Sequence, residues 1–188
     1  MKEINSLAPT LWRTCRVMAN HKRIHCLHTV LRTPGLTVEL VAGVTGLSAS
    51  KASLSLRAIQ SRGLISSRRK SRWNLYYSEP EASVKSSKAF LDAVRSAFFT
   101  EHLSEAEIVN ALKAYTHSRR IDIVRQLAYA DFVDFHNFSV KVQISPPALF
   151  RHLRYLRIHG VIELEEDSYK LAKPKTDFAH DLLRIILA

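Results

Sequence analysis

Six basic side chains and no acidic one lie between residues 56 and 73, in the sequence LRAIQSRGLISSRRKSRW. They are Arg57, Arg62, Arg68, Arg69, Lys70 and Arg72. Arginine and lysine bind phosphate oxygens, and an arginine can also hold a guanine edge through two hydrogen bonds. Cations at this density repel one another unless an anion lies among them. The run therefore predicts a binding site for a polyanion.

Three histidines form a second group that could do chemistry. His21, His25 and His28 recur at i, i+4 and i+7, which places them on one face of a helix, next to Cys26. This spacing could bind a transition metal such as zinc. Because His25 and Cys26 fall beside core positions of the same helix, we expect these side chains to pack and to hold no metal. Redox sensing through Cys15 or Cys26 is a further alternative.

Residues for catalysis are not grouped in any familiar pattern. The sequence contains no nucleotide-binding loop, no nucleophile elbow with a serine triad and no paired metal motif. Its densest acidic group, Glu163 to Asp167, falls on the tip of a predicted hairpin, which is a poor place for a buried general acid. We therefore expect no enzyme activity and no cofactor.

The basic charge is confined to one half of the chain. The formal net charge is +11 over 188 residues. Residues 1–97 contain 16 basic and 5 acidic residues, whereas residues 98–188 contain 12 of each. A basic half beside a neutral half predicts an anionic partner that binds the first half. A protein that merely has a high isoelectric point is the alternative that composition leaves open.

The cysteine content and the hydropathy indicate the compartment. Two cysteines are too few for a disulfide framework, which is typical of a reducing environment. No apolar run reaches the length of a membrane span, and the first residues lack the apolar core of a signal peptide. We therefore expect a cytoplasmic protein that has no membrane contact.

The sequence aligns with itself at an offset of 97 residues without a gap. The matched pairs include Arg23 with Arg120, Ser48 with Ser145, Leu56 with Leu153, Gly63 with Gly160 and Ile65 with Ile162. This period is longer than that of a solenoid repeat and indicates two copies of one small domain. We name them copy one and copy two in chain order. The run after the matched glycine is basic in copy one and acidic in copy two.

Each copy predicts the same order of elements. In copy one, hydrophobic periodicity predicts helices over 8–19, 21–32, 37–43 and 49–61, and two strands within 64–77. Ser48 is the expected N-cap of the fourth helix, and Gly63 its end. In copy two, Gln143 replaces the turn glycine Gly46, which costs about 1 kcal/mol in a left-handed conformation or reshapes the turn.

These elements predict a mainly α fold with small β-hairpin wings. We expect two tandem winged helix-turn-helix domains that form a pseudo-dimer. The expected bounds are 1–80 for copy one, 81–100 for a bridging helix and 101–188 for copy two.

Two stretches of copy one carry a resemblance to a known family. MANHKRIHCLHTVL and TVELVAGVTGLSASKASLSLRAIQSRGLISSRRKSRWNLYY resemble arsenic-repressor-type winged helices and their multiple-antibiotic-resistance-regulator relatives. In copy two, SPPALFRHLRYLRIHGVI is similar to the family's usual recognition helix. The resemblance implies a bacterial transcription regulator that binds double-stranded DNA. It implies no metal sensor, because VELVAGV lacks the family's cysteine pair.

A recognition helix in the major groove must present its outward side chains to the bases and phosphates. If Ala52, Leu56 and Ile59 face inward, the expected contacts of copy one lie on the opposite face and on the wing. They are Ser48, Ser50, Lys51, Ser53, Leu54, Arg57, Arg68, Arg69, Lys70 and Arg72. Leu54 either touches a thymine methyl group or is partly buried. The wing cations could instead only prevent edge-to-edge pairing of strands, and we expect Trp73 to pack in the core.

Copy two offers a weaker set of contacts. Ser145, Arg151 and Arg154 occupy the matching helix face, but the acidic run replaces the wing cations. Copy two therefore contacts DNA through its helix only, or it has become a structural half that binds another protein or a second chain. The main alternative for the whole protein is an architectural or protein-binding scaffold that does not read a DNA sequence.

Overall fold

The computed structural model describes residues 10–129 and 133–188. Within them the chain is mainly helical, with two small antiparallel β-hairpins. Copy one contains α1 (Leu11–Met18), α2 (His21–Arg32), α3 (Val38–Thr45), α4 (Ala49–Gln60), β1 (Ser66–Lys70) and β2 (Trp73–Tyr77). Helix α5 (Ser87–Phe99) follows the hairpin of copy one, in the segment expected to bridge the copies. Copy two contains α6 (Glu105–Lys113), α7 (Ser118–Ala128), β3 (Val133–Asp134), α8 (Phe135–Val142), α9 (Pro146–Ile158), β4 (Ile162–Glu165), β5 (Ser168–Leu171) and α10 (Asp177–Leu187).

Local sequence explains where the key helix of copy one begins. Gly46 ends α3 in a left-handed conformation with φ 66°, a backbone that glycine adopts without steric cost. The Ser48 side chain then accepts a hydrogen bond from the backbone N–H of Lys51, as expected for an N-cap. Gln143 takes the same left-handed conformation in copy two, with φ 52°, so the turn keeps its shape despite the side chain.

The helical phase that the sequence predicts for α4 is confirmed. Ala52, Leu56 and Ile59 are all completely buried. The matching residues of α9, Leu149, Leu153 and Leu156, are also completely buried. The two helices therefore turn equivalent faces towards the core, and each presents its opposite face to solvent.

Each hairpin pairs on one edge with a preceding segment of its own copy, through a single bridge in copy one and a short strand in copy two. In copy one, Leu36 forms an isolated antiparallel bridge with Tyr76, which pairs with Ser67. In copy two, Val133 pairs with Tyr169, which pairs with Leu164. The arrangement of helices and hairpins is consistent with a winged-helix-like layout in each half.

One hydrophobic core runs through both copies. Helix α1 packs against α6, α2 packs against α6, and α5 packs against α10. The largest fully buried side chains come from both halves and include Ile24, Leu56, Phe90, Ile108, Phe138 and Phe178. None of the helices that the structure describes is both long and apolar enough to cross a membrane.

Candidate nucleic-acid interface

The outer face of α4 carries the side chains that the sequence selects. Ser50, Lys51, Leu54 and Arg57 are exposed, and Ser53 is half-buried. The hydroxyl of Ser48 is exposed as well, but it is engaged by the capping bond from Lys51 N at 3.4 Å. Five of the six predicted helix residues are thus accessible to a partner along about three turns.

Leu54 has 60% of its surface exposed. Most of this apolar side chain therefore faces solvent. A large apolar side chain held among serines and cations can contact a thymine methyl group in the major groove.

The hairpin β1–β2 extends beyond the core and carries its cations at the tip. Arg69, Lys70 and Arg72 are all exposed, and the turn passes through Ser71 at φ 55°. Lys70 lies opposite Trp73, in the last pair before the turn. Trp73 is 42% exposed, with the Arg72 guanidinium 4.8 Å from its ring centroid. The expected core packing of Trp73 is wrong, because its position on the hairpin places it past the edge of the core.

Arg68 differs from the other wing cations. Its guanidinium lies 2.7 Å from the carboxylate of Glu79 and 4.8 Å from the ring centroid of Tyr77. Glu79 also accepts a hydrogen bond from Ser66 at 2.9 Å. The sequence predicted four cations without a counter-ion, and this pair corrects that expectation. Glu79 was missed because only the strand register brings it back beside Arg68.

Helix α4 and the hairpin β1–β2 of copy one are joined directly. The amide of Gln60, at the end of α4, donates to the hydroxyl of Ser67 on β1 at 3.0 Å. Burial raises the pKa of the Tyr76 hydroxyl, and the nearby charge of Arg57 acts in the opposite direction. Arg57 therefore lies close to the base of the wing, and the two cationic surfaces form one continuous region. We call it the α4–wing face.

Helix α9 presents a different surface. Ser145, Arg151 and Arg154 are exposed, as the sequence predicts. Phe150, which occupies the position of Ser53 in copy one, is 54% exposed. The face that carries serines and a lysine in copy one therefore carries an aromatic ring between the prolines and the arginines of copy two.

The acidic hairpin of copy two neutralises part of its own charge. Lys170 on β5 lies 3.2 Å from the carboxylate of Glu163 and also pairs with Glu165. Glu166 and Asp167 form the turn, with φ values of 46° and 64°. Carboxylates at the tip repel the phosphates that a basic wing attracts.

Two of the three histidines of α2, His25 and His28, lie against one carboxylate, that of Glu105. Nδ1 of His25 lies 2.6 Å from the Glu105 carboxylate, and the His28 ring stacks on Phe98 with centroids 3.9 Å apart. Across residues 10–129 and 133–188, no group of three or more histidine, cysteine or acidic side chains is arranged to hold a metal ion. The contacts support the packing role that the sequence favoured for these side chains.

Both cysteines are completely buried. Burial raises the pKa of Cys15 to about 12 and that of Cys26 to about 11. A thiolate is the reactive form of cysteine, so neither position favours redox sensing.

No family model, no curated protein and no solved structure matches this chain.

Proposed function

We propose that the chain binds double-stranded DNA through the α4–wing face and acts as a sequence-reading transcription regulator. One observation carries the proposal. Lys51, Arg57, Arg69, Lys70 and Arg72 are exposed, and none of them forms an ion pair with any residue that the structure describes. Cations presented in this way gain free energy by displacing the condensed counter-ions of a duplex. The resemblance of copy one to bacterial winged-helix regulators supports the same reading.

The contacts between the copies support a pseudo-dimer. Across a two-fold axis the same surface of both halves meets, so an element that lies on the axis packs against its own equivalent. At the repeat offset, α1 corresponds to α6, and α1 packs against α6. Helices α5 and α10 both follow the hairpin of their copy, and they also pack against each other. We propose that the two winged helices are related by an approximate two-fold axis, as two subunits of a dimer would be.

A second candidate function rests on exposed apolar side chains in copy two. Phe150 is 54% exposed, Ile158 68% and Val140 70%. Aromatic and aliphatic side chains on a surface favour a protein partner. In this alternative, copy two binds another protein or a second copy of the chain, and the protein is a scaffold that reads no DNA sequence.

Selection from a random duplex pool, followed by fluorescence anisotropy across a salt series, tests the proposal. Each phosphate contact steepens the dependence of log K on log salt by about 0.9. Replacing Arg69, Lys70 and Arg72 with alanine should flatten this slope by about two to three. The matched control removes three charges outside the α4–wing face, from Lys85, Lys88 and Arg95, and should change the slope much less.

Sequence reading is tested separately on the helix. Arg57→Ala should relax the base preference of the selected duplexes, because a helix-face arginine is placed to contact base edges. A pool that yields no enriched sequence, together with an unchanged slope for the wing variant, would remove the DNA proposal and favour the scaffold.

A further inference from the structure

Copy two contains a cavity of about 300 Å³ at the end of α9. It lies between α6, the start of the hairpin, the residues that follow β5, and α10. Its walls include Ala111, Val161, Ala172, Leu182 and Leu183, with Asn110, His159 and Lys175 as polar groups. This volume is at the lower end of the range found for small-molecule sites.

The matching space in copy one is filled. A Cβ atom built on Gly63 would lie 2.9 Å from Cγ2 of Val84 and 3.0 Å from Cβ of Glu81. The backbone N–H of Glu81 also donates to the Gly63 carbonyl at 2.9 Å. Gly160 is the equivalent residue of copy two and has a similar φ of 68°. Apart from Gly160 itself and its two chain neighbours, no described residue has an atom within 4 Å of the corresponding point there.

The length of one connection explains this difference. Nine residues, 78–86, join β2 to α5, and they fold back over Gly63. Five residues, 172–176, join β5 to α10. The shorter connection does not fold over Gly160, so copy two has a cavity at the position where the longer connection of copy one packs against Gly63. The cavity therefore follows from the length of the connection between β5 and α10.

The polar groups of the cavity favour an anion. Nδ1 of His159 is buried and has no hydrogen-bond partner among the residues that the structure describes. Burial lowers the pKa of His159, the charges of Lys113 and Arg120 lower it further, and the backbone of Asn110 acts in the opposite direction. Lys175 adds another cation to the rim, so the local field is positive. An anionic group at this point would reverse the effect and accept a hydrogen bond from Nδ1.

We propose that this cavity binds a small carboxylic acid with a hydrophobic body. The carboxylate lies against His159 and Lys175, and the carbon chain packs on the alanine, valine and leucine walls. A small hydrated anion such as acetate has too little apolar surface to cover these walls, and it leaves most of the cavity unfilled. Because Nδ1 has no partner of its own, an uncharged hydrocarbon leaves a buried polar atom unsatisfied.

The experiment compares three probes with the same chain length: hexanoate, hexan-1-ol and hexylammonium. Binding is measured by calorimetry and by the imidazole NMR signals of the complete chain without DNA, so the result does not depend on the proposed function. Hexanoate should bind most tightly and hexylammonium least. Hexanoate should also raise the pKa of His159, which makes its binding tighter as the pH falls towards 6.

Two substitutions assign the site. His159→Gln should weaken hexanoate about tenfold or more, because a hydrogen bond to a charged group is lost. His180→Gln is the matched control and should have no effect, since His180 is an exposed histidine outside the cavity. Lys175→Gln changes an exposed side chain, so the fold should survive, and it should weaken hexanoate but not hexanol. Equal affinity for all three probes, or full affinity in both His159→Gln and Lys175→Gln, would overturn the proposal.

Discussion

Glu105 on α6 and His25 on α2 join the two copies, with 2.6 Å between the carboxylate and Nδ1 of the imidazole. The same carboxylate lies 3.4 Å from Nδ1 of His28, whose ring stacks on Phe98 of α5. One acidic side chain of copy two thus contacts two histidines of copy one at the junction of three helices. This junction gives His25 and His28 a packing role on α2.

Glu105→Gln should lower the free energy of unfolding by about 0.5–1.5 kcal/mol, because a partly exposed hydrogen-bonded pair contributes no more than this. Urea denaturation measures the change. A double-mutant cycle with His25→Asn should give a coupling energy of the same order. Asp122→Asn, an exposed acid of α7, is the control. Additive effects of the two substitutions would show that the contact contributes nothing.

Glu79→Gln should strengthen DNA binding. The substitution removes the counter-ion of Arg68 and leaves a fourth cation available on the wing. The salt dependence of log K should steepen by up to about 0.9, the value of one added phosphate contact. Glu81→Gln makes the same change of charge at a side chain that accepts from Ser83 and not from the wing. The two variants are compared by anisotropy, and equal slopes would show that Arg68 does not meet phosphate.

Structural features that depend on residues close together in the sequence could be predicted in both copies. Ala52, Leu56 and Ile59 fix the phase of α4 because their spacing matches one helical face, and Ser48 and Gly46 mark its start. The partner of Arg68 could not be predicted, since it lies eleven residues away and depends on the register of a hairpin. The partner of His25 is 80 residues away. Long-range polar contacts leave no periodic trace in the sequence.

We expect His117 to make the stability of copy two depend on pH. Its Nδ1 accepts a hydrogen bond from the backbone N–H of Arg119 at 3.1 Å and caps α7, as the side chain of Asn20 caps α2. Burial first, and then the charges of Arg120, Arg16 and Arg119, lower the pKa of His117 below its ordinary value of 6.5. The folded state therefore favours the neutral ring, and the unfolded state takes up the proton more readily.

Stability should consequently be greatest above pH 6.5 and should fall as the pH drops from there towards the lowered pKa of the folded state. His117→Asn should keep the cap and reduce this dependence, because asparagine does not titrate. Thermal unfolding of both proteins between pH 5 and 8 provides the measurement. Parallel curves across this range would show that His117 does not contribute. His152 also has a lowered pKa and should account for part of the remaining slope.

The two thiols should not react in the native protein. At pH 8 both are protonated, because burial raises the pKa of Cys15 to about 12 and that of Cys26 to about 11. A disulfide reagent that releases a coloured thiol should therefore show almost no reaction until guanidinium is added, and then two equivalents per chain. Rapid reaction of one thiol in native buffer would reopen the redox alternative.

The candidate site could be predicted from the sequence less completely than the fold could. Exposure of the α4 face could be predicted, because it follows from the helical phase. The position of Trp73 could not, because it depends on how far the hairpin projects beyond the core. Phe150 and the cavity beside Gly160 depend on what a short connection fails to cover. That information lies in three-dimensional packing and not in residue spacing.

The acidic hairpin of copy two and the basic hairpin of copy one belong to the same chain. In a homodimer, every substitution occurs on both subunits, so a wing that acquires acids loses its cations on both sides together. Joining the copies removes that constraint, and each half can change while the other keeps its surface. The link also holds the halves at a local concentration that dilution does not alter. Two copies in one chain can therefore come to differ in surface charge while they remain parts of the same molecule.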